Sequence, residues 1–253
     1  MSVTEDTFTF RLPRAFFCLV CSLFFAFLTA CTPQNGSGRF YEASVENPLT
    51  IKATWFRYLG GTDIRQACGA GTGDRYRFVY NGHYNEQLRS YEVTPDASGG
   101  AAVRARALVG SGISGSVSLD LEDPLASFRW TTSDDRMAPA DLQRFDQAMM
   151  ESGVFGTAPI GERLHSNAFY WVATGCRDGA FFHNAWVYPS DRFAALTFPE
   201  LLLRFDGTGV AVNPPRRRDV DESLRSSSAR RTPARYQSPY FVLEVAENGL
   251  RGF

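Results

Sequence analysis

The chain has 253 residues, of which 26 are basic and 27 acidic, and its formal net charge at pH 7 is −1. A balance so close to neutral argues against functions that depend on the overall charge, such as nucleic-acid binding or attraction of acidic substrates. The length is sufficient for one domain with a substantial hydrophobic core.

An apolar run near the start of the chain predicts export. Residues 15–30 carry no charge and follow Arg11 and Arg14. The run is shorter than the roughly 20 residues that a membrane-spanning helix requires. A basic flank, a short apolar core and small residues at its end are typical of a signal peptide. We therefore expect residues 1–30 to be a cleaved signal peptide, with an uncleaved short anchor or a plain secretory signal as the alternatives.

The run ends in Leu28-Thr29-Ala30-Cys31, which resembles the lipobox of bacterial lipoprotein precursors. The resemblance covers only the first 31 residues. It implies cleavage before Cys31, a diacylglycerol on the Cys31 sulfur and a further acyl chain, such as palmitate, on its amino group. Two or three chains anchor a protein durably, at about 0.8 kcal/mol per buried methylene. Thr32, in place of Asp, implies the outer membrane, with the domain facing the periplasm.

The chain has five cysteines, and this interpretation accounts for each of them. Cys18 and Cys21 lie inside the signal core, so their C-x-x-C spacing indicates neither a zinc nor a redox site. Cys31 takes the lipid, which leaves Cys68 and Cys176 for an oxidising compartment. We expect a disulfide between these two, with two separately buried thiols as the alternative.

The mature chain is predicted to be a polar tether at residues 31–39 followed by a single domain at residues 40–253. Short strand-like segments dominate this domain, and we find no β-α-β alternation. This pattern predicts an α+β fold, in which two or three helices pack on an antiparallel, aromatic-rich sheet. The predicted strands are residues 49–59, 75–80, 101–109, 116–122, 126–132 and 240–245. Asn81-Gly82 predicts a hairpin turn directly after the second of them.

Two helical regions interrupt the strands. The first begins at Pro139 and stops at Gly153, and the second covers residues 190–206. We expect Ser190 to cap the second region, and Thr197 with Glu200 to form a capping box inside it. The predicted apolar stripe of the first helix consists of Leu142, Phe145 and Met149.

A second hairpin is predicted at residues 167–190, with Asp178-Gly179 as its two-residue turn. In that register Cys176 is opposite Phe181, and five aromatic side chains share one face of the sheet. These are Phe169, Trp171, Phe182, Trp186 and Tyr188. Such a face is either the core beneath the helices or a platform that stacks a sugar or a lipid.

Residues 213–239 differ in composition from the rest of the domain. They contain seven arginines, three acidic residues and many Pro and Ser, with almost no apolar residues. We expect a mobile insertion, either a solvated low-complexity segment or a surface that contacts an anionic envelope polymer.

None of the candidate catalytic, cofactor or metal-binding motifs has the sequence context that its chemistry requires. Gly110-x-Gly112-x-x-Gly115 precedes a strand-like segment, although a dinucleotide site requires a helix N-terminus there. The glycine run at residues 69–73 also leads into a predicted strand. His83, His165 and His183 have no zinc-type spacing, and His83 is expected to be exposed after its turn.

The sequence therefore predicts a lipid-anchored protein of the bacterial cell envelope, without a cofactor or a metal and without nucleic-acid binding. A non-catalytic structural or accessory component fits best, held on the membrane through acyl chains on Cys31 and bound to an envelope protein partner. The alternatives are a binding module for glycan or lipid, using the aromatic face or the Arg-rich insertion, and a periplasmic hydrolase.

Overall fold

The computed structural model describes residues 51–109, 130–217 and 241–252. Within these ranges the chain forms five helices and nine strands. The helices are α1 (Ile51–Leu59), α2 (Thr62–Ala67), α3 (Pro139–Glu151), α4 (Asp191–Ala194) and α5 (Phe198–Arg204). The strands are β1 (Arg75–Gly82), β2 (Gln87–Pro95), β3 (Ala101–Val109), β4 (Thr131–Met137), β5 (Arg163–His165), β6 (Phe169–Arg177), β7 (Ala180–Tyr188), β8 (Val242–Ala246) and β9 (Gly249–Arg251).

The strands form two antiparallel sheets. The larger sheet has the order β4-β3-β2-β1-β6-β7, so a meander of four strands is extended by β6, which returns to the free edge of β1. The smaller sheet has the order β5-β8-β9. The α+β class predicted from the sequence, with an antiparallel, aromatic-rich sheet, is confirmed, and the helices are shorter and more numerous than expected.

Both faces of the larger sheet are covered. On the first face, α3 and α5 bury a core that contains Phe78, Trp171 and Phe198. On the second face, α1 and the smaller sheet bury another core, which contains Tyr58, Val172 and Leu243. Antiparallel sheets commonly leave one face in water, and strands buried on both faces lose the simple alternation of apolar and polar residues.

Helix α1 corrects the prediction of a strand at residues 49–59. The β-branched residues at the start of that segment favoured a strand. However, Trp55, Tyr58 and Leu59 follow the i, i+3, i+4 spacing of a helix, and all three are buried against the second face of the sheet. Burial of this stripe outweighs the local strand propensity.

The turn after β1 also differs from its prediction. Strand β1 runs through Asn81 and Gly82, because the Asn81 amide donates to the carbonyls of Ser166 (3.1 Å) and Ala168 (2.6 Å) instead of closing a turn. The chain reverses at residues 83–86, where His83 adopts a left-handed φ of 63°. His83 is 8% exposed, so the expectation that it is exposed is wrong.

The two predicted helical regions are present, but the second is divided into two short helices, α4 and α5. Leu142, Phe145 and Met149 form the buried stripe of α3, and the Ser190 side chain accepts the Phe193 amide (3.1 Å) at the start of α4. The predicted capping box is wrong, since the Thr197 side chain does not cap α5 and its hydroxyl donates to the Ala148 carbonyl (3.2 Å).

Some predicted segments lie partly or wholly outside the described residues. The strand at 116–122 and the glycine pattern at 110–115 fall outside them, as do residues 1–50 with the signal peptide and tether. The strands predicted at 126–132 and 240–245 overlap β4 and β8. Among the described helices, none has the length and apolar character needed to cross a bilayer.

Candidate functional site: the two faces of the larger sheet

The β6–β7 hairpin has the register predicted from its turn. Asp178 and Gly179 both have positive φ, at 52° and 76°, as a two-residue turn of this kind requires. Arg177 pairs with Ala180, and the pairing continues outward until Phe169 is opposite Tyr188. The five predicted aromatic side chains therefore lie on one face.

This aromatic face is core and is closed to a ligand. Phe169, Trp171 and Trp186 are 2%, 5% and 1% exposed, and Phe182 and Tyr188 pack against the same cluster. Phe198 of α5 lies with its ring 5.5 Å from that of Trp171 and 5.6 Å from that of Trp186. Of the two alternatives for these five residues, the core is supported and the ligand platform is contradicted, because α5 packs on them.

The second face carries the disulfide. Cys68, directly after α2, is bonded to Cys176 in β6, with Cα atoms 5.5 Å apart. The pairing is the one expected from the cysteine count. It fixes the end of the α1–α2 segment to the C-terminal end of β6 in the larger sheet.

Beneath α1 and α2 lies a buried ion network centred on Arg77. The Arg77 guanidinium donates to both carboxylate oxygens of Asp63, each at 2.7 Å, and to the Tyr58 carbonyl at 2.8 Å. The Arg77 Nε donates to Glu92, and the Arg77 Cζ atom lies over the Tyr58 ring, 3.8 Å from its centre. Arg77, Asp63 and Glu92 are 0%, 1% and 4% exposed, so these charges are removed from water.

The network extends along the neighbouring strands. Arg75 donates to Glu92 at 3.2 Å, and Arg106 donates to the Tyr58 hydroxyl at 3.2 Å. The same hydroxyl shares a hydrogen bond with the Ser90 hydroxyl. One helical tyrosine thus joins side chains of β2 and β3.

Burial and ion pairing shift the pKa values of Tyr58, Glu92 and Arg77. Burial raises the pKa of Tyr58 to about 12, with a further contribution from Glu92. Burial alone would raise the pKa of Glu92, but the guanidinium groups of Arg77, Arg75 and Arg106 outweigh it and hold that pKa below 4.5. Burial lowers the pKa of Arg77, but Glu92 and Tyr58 raise it well above its usual value. Through their hydrogen bonds, Arg77 and Tyr58 join α1 and α2 to β1, β2 and β3.

A second polar cluster binds the segment after α5 to the larger sheet. The buried Arg89 donates to Asp206 and to the Val210 carbonyl, and the Tyr91 hydroxyl donates to Asp206 at 2.6 Å. Asn213 donates to the Gly82 carbonyl at 2.7 Å. The first residues of the predicted Arg-rich insertion are therefore bound to the sheet, and residues 218–239 lie outside the described residues.

The three histidines lie on different elements. His183 in β7 has its Nε2 3.1 Å from the Glu247 carbonyl, and His165 ends β5, where burial and then Arg163 lower its pKa. His83 lies in the β1–β2 turn. Within the described ranges, no three or more His, Cys, Asp and Glu side chains come together in a way that could hold a metal ion.

An open cavity of about 530 Å³ lies beside the β8–β9 hairpin. Arg65 and Arg251 line it, together with the exposed Ile160. Both arginines already have partners, since Arg65 donates to the Asn248 carbonyl and Arg251 pairs with Glu244.

Comparison of the chain with protein-family models, with curated proteins and with solved structures finds no match. The function therefore has to be argued from the residues themselves.

Proposed function

We propose that the chain is a lipid-anchored protein of the bacterial cell envelope whose folded domain is a non-catalytic structural or accessory component. In this proposal the acyl chains on Cys31 hold it on the outer membrane, and the domain faces the periplasm and binds an envelope protein partner. The observation that carries the proposal is the division of the cysteines. Cys18 and Cys21 lie inside the apolar run, Cys31 ends a sequence that resembles a lipobox, and Cys68 and Cys176 form a disulfide.

The disulfide supports an exported location. Disulfides persist in oxidising compartments such as the periplasm and are rare in the cytosol. Cys68 and Cys176 are separated by 108 residues along the chain and meet on one face of the larger sheet.

The two covered faces of the sheet support a structural role over a binding platform. The aromatic cluster of the β6–β7 hairpin and the ion network around Arg77 are both buried, one beneath α5 and the other beneath α1 and α2. Both groups stabilise the fold, so we assign partner binding to the outer surface of the domain.

In the described part of the larger sheet β7 is an edge strand, and its own hydrogen bonds limit how a partner could bind there. The Ala185 amide donates to the Asn184 side chain at 2.9 Å, and the Ala185 carbonyl accepts from Arg192 at 3.2 Å. The Val187 carbonyl accepts from Ser190 at 2.7 Å. Because these backbone groups are already paired, strand addition along this part of β7 is blocked. We therefore expect the partner to contact side chains of the domain.

Membrane attachment is tested by replacing Cys31 with Ser. We expect this variant to lose acylation and to move from the membrane fraction to the soluble periplasmic fraction. The matched control is Cys18→Ser, which alters a cysteine of the signal core and should leave acylation intact. Tight membrane association of the Cys31→Ser variant without acylation would contradict the proposal.

The accessory role is tested by crosslinking in intact cells, followed by purification of the acylated protein and identification of what is attached to it. We expect one or a few envelope proteins to be recovered reproducibly. Recovery of the chain alone would count against this role, and would leave the membrane attachment to be decided by the Cys31 variant.

A further inference from the structure

A single polar row crosses all six strands of the larger sheet on its second face. Each member of the row lies directly opposite the next in the strand register. From β4 to β7 the row consists of Asp134, Arg104, Glu92, Arg77, Thr174 and His183. The first four members alternate in charge, and opposite charges on directly opposed residues stabilise a strand pair. The register of the sheet therefore determines which of these charges meet.

The two central charges of this row are the ones removed from water. Arg77 and Glu92 are 0% and 4% exposed, and the Arg77 Nε donates to Glu92. By contrast, the side chains of Arg104 and Asp134 are 42% and 68% exposed. Water screens an exposed pair, whereas a buried charge that loses its partner is costly. The contact between Arg77 and Glu92 therefore discriminates more strongly between registers than the exposed pair does.

One competing register of β1 and β2 has favourable contacts of its own. A shift of β2 by two residues keeps every side chain on its own face of the sheet. It would place Glu92 opposite Arg75, to which it is already hydrogen-bonded at 3.2 Å. It would also place Leu88 opposite Val79, in place of a polar residue. The shift in the other direction would leave Glu92 facing Val79, so it has no such compensation.

Arg77 is the residue that the favourable shift would penalise. Its guanidinium would face Ser90, which carries no charge, and would lose its direct contact with Glu92. Because Arg77 is fully buried, water would not replace that contact. On the first face the same shift would bring Tyr76 opposite Tyr91, and such exchanges between apolar contacts are tolerated.

A second buried ion pair also involves β2. Arg89 donates to Asp206, and their side chains are 1% and 5% exposed. This pair joins β2 to the segment after α5, whereas Arg77 and Glu92 join β1 to β2. It therefore provides a control of similar burial for the effect of Arg77 on the register.

We propose that Arg77 and Glu92 form a register lock, which admits the observed pairing of β1 and β2 and excludes the pairing shifted by two residues. The lock acts through conformational specificity, because apolar residues can often replace a buried ion pair without loss of stability. The register in turn sets the position of the turn at residues 83–86. Asn213 binds the Gly82 carbonyl and the Glu86 side chain at this turn, so the lock also positions the segment after α5.

The test is NMR spectroscopy of the full chain in detergent, labelled with ¹⁵N on tyrosine alone. Three tyrosines lie in β1 and β2, namely Tyr76, Tyr80 and Tyr91. The double variant Asp63→Leu/Arg77→Met removes the guanidinium together with its partner in α2. We expect a second set of amide peaks for these three tyrosines, because exchange between registers requires the strands to separate. The wild type and the control Arg89→Met/Asp206→Leu should each show one set.

One set of peaks in Asp63→Leu/Arg77→Met would overturn the proposal. A second set in the control as well would also overturn it, because loss of any buried ion pair would then suffice. Arg77→Lys keeps the positive charge and should keep a single set. If the double variant does not fold, Glu92→Gln decides the question, since it removes the charge that selects Arg77 and should show the second set. A single set in Glu92→Gln would then refute the lock.

Discussion

Arg77 is the residue on which the second face of the larger sheet depends. Its planar guanidinium contacts two carboxylates, a backbone carbonyl and the face of the Tyr58 ring at once. A lysine ammonium cannot reproduce this fork of donors, so Arg and Lys are not interchangeable here. The side chain therefore joins α1 and α2 to β1 and β2.

The pH dependence of stability should follow Glu92, a partner of Arg77. Its pKa in the folded protein is held below 4.5, so the unfolded chain takes up the proton first as the pH falls. The stabilisation is complete above pH 4.5 and is lost as the pH falls through the folded-state pKa. Glu92→Gln should therefore lower the free energy of unfolding at pH 7 by about 3–5 kcal/mol. It should also reduce the loss of unfolding free energy between pH 7 and pH 3, as measured by urea unfolding across that range.

The control for this prediction is Glu244→Gln, which removes an exposed carboxylate paired with Arg251. Exposed pairs contribute about 0–1 kcal/mol, so this variant should keep the acid decline of the wild type. An unchanged acid decline in Glu92→Gln would contradict the assignment.

The buried arginines could not be recognised from the sequence. Arg104 and Arg106 alternate with apolar residues in β3, and such alternation ordinarily indicates one face in water. Arg106 is nevertheless fully buried, because Tyr58 of α1 covers this face and accepts its hydrogen bond. The burial of Arg106 depends on α1, a helix that the local sequence pattern did not predict.

At the scale of elements, the turn residues predicted the β6–β7 hairpin correctly but did not predict the position of the turn between β1 and β2. Asp178-Gly179 fixes the register of β6 and β7, because both residues adopt the positive φ that the two-residue turn requires. Asn81-Gly82 is the stronger hairpin signal, but its amide is bound to the backbone of the loop at residues 166–168. A tertiary contact thus replaced the local turn preference.

The junction between α1 and α2 offers a prediction at this scale. Gly61 has a φ of +63°, and a Cβ at this position would lie 2.6 Å from the Cβ of the buried Thr174. Gly61→Ala combines left-handed strain of about 1–2 kcal/mol with overpacking of about 1–3 kcal/mol. The variant should lose roughly 3 kcal/mol or more of unfolding free energy, measured by chemical denaturation.

Gly153→Ala is the matched control, because Gly153 has a φ of +67° and a Cβ added there would have no atom within 4 Å. It carries the strain without the clash and should lose only about 1–2 kcal/mol. Equal losses in the two variants would show that α1 and α2 are not held against β6 as described.

At the scale of the whole molecule, the disulfide closes a long loop. Cys68 and Cys176 are separated by 108 residues, and the entropy of the unfolded chain gives such a link about 4–5 kcal/mol of stabilisation. The double variant Cys68→Ser/Cys176→Ser should lose roughly that free energy of unfolding in guanidinium titrations. Reduction of the wild type should give the same loss, and a loss below about 1 kcal/mol in both would contradict the prediction.

The sequence predicts the fold class, the disulfide pair and the hairpin because each depends on local chemistry or on a count. It does not predict the ion network or the covering of the second face. These depend on how α1, α2 and the β5-β8-β9 sheet pack on the larger sheet, and the sequence alone does not specify that arrangement.

The central position of β1 has a consequence for how the protein is made. Its neighbour β2 follows it at once along the chain, whereas β6 is added only after β2–β5 and α3. The chain is made from its N-terminus, so one edge of β1 lacks its partner strand until residues 169–177 have been made. An unpaired edge of this kind is a template for wrong strand pairing. Cys176 lies in that same late strand. Formation of the disulfide would thus mark the arrival of the second partner strand of β1, and the time from synthesis to oxidation would measure how long that edge stays exposed.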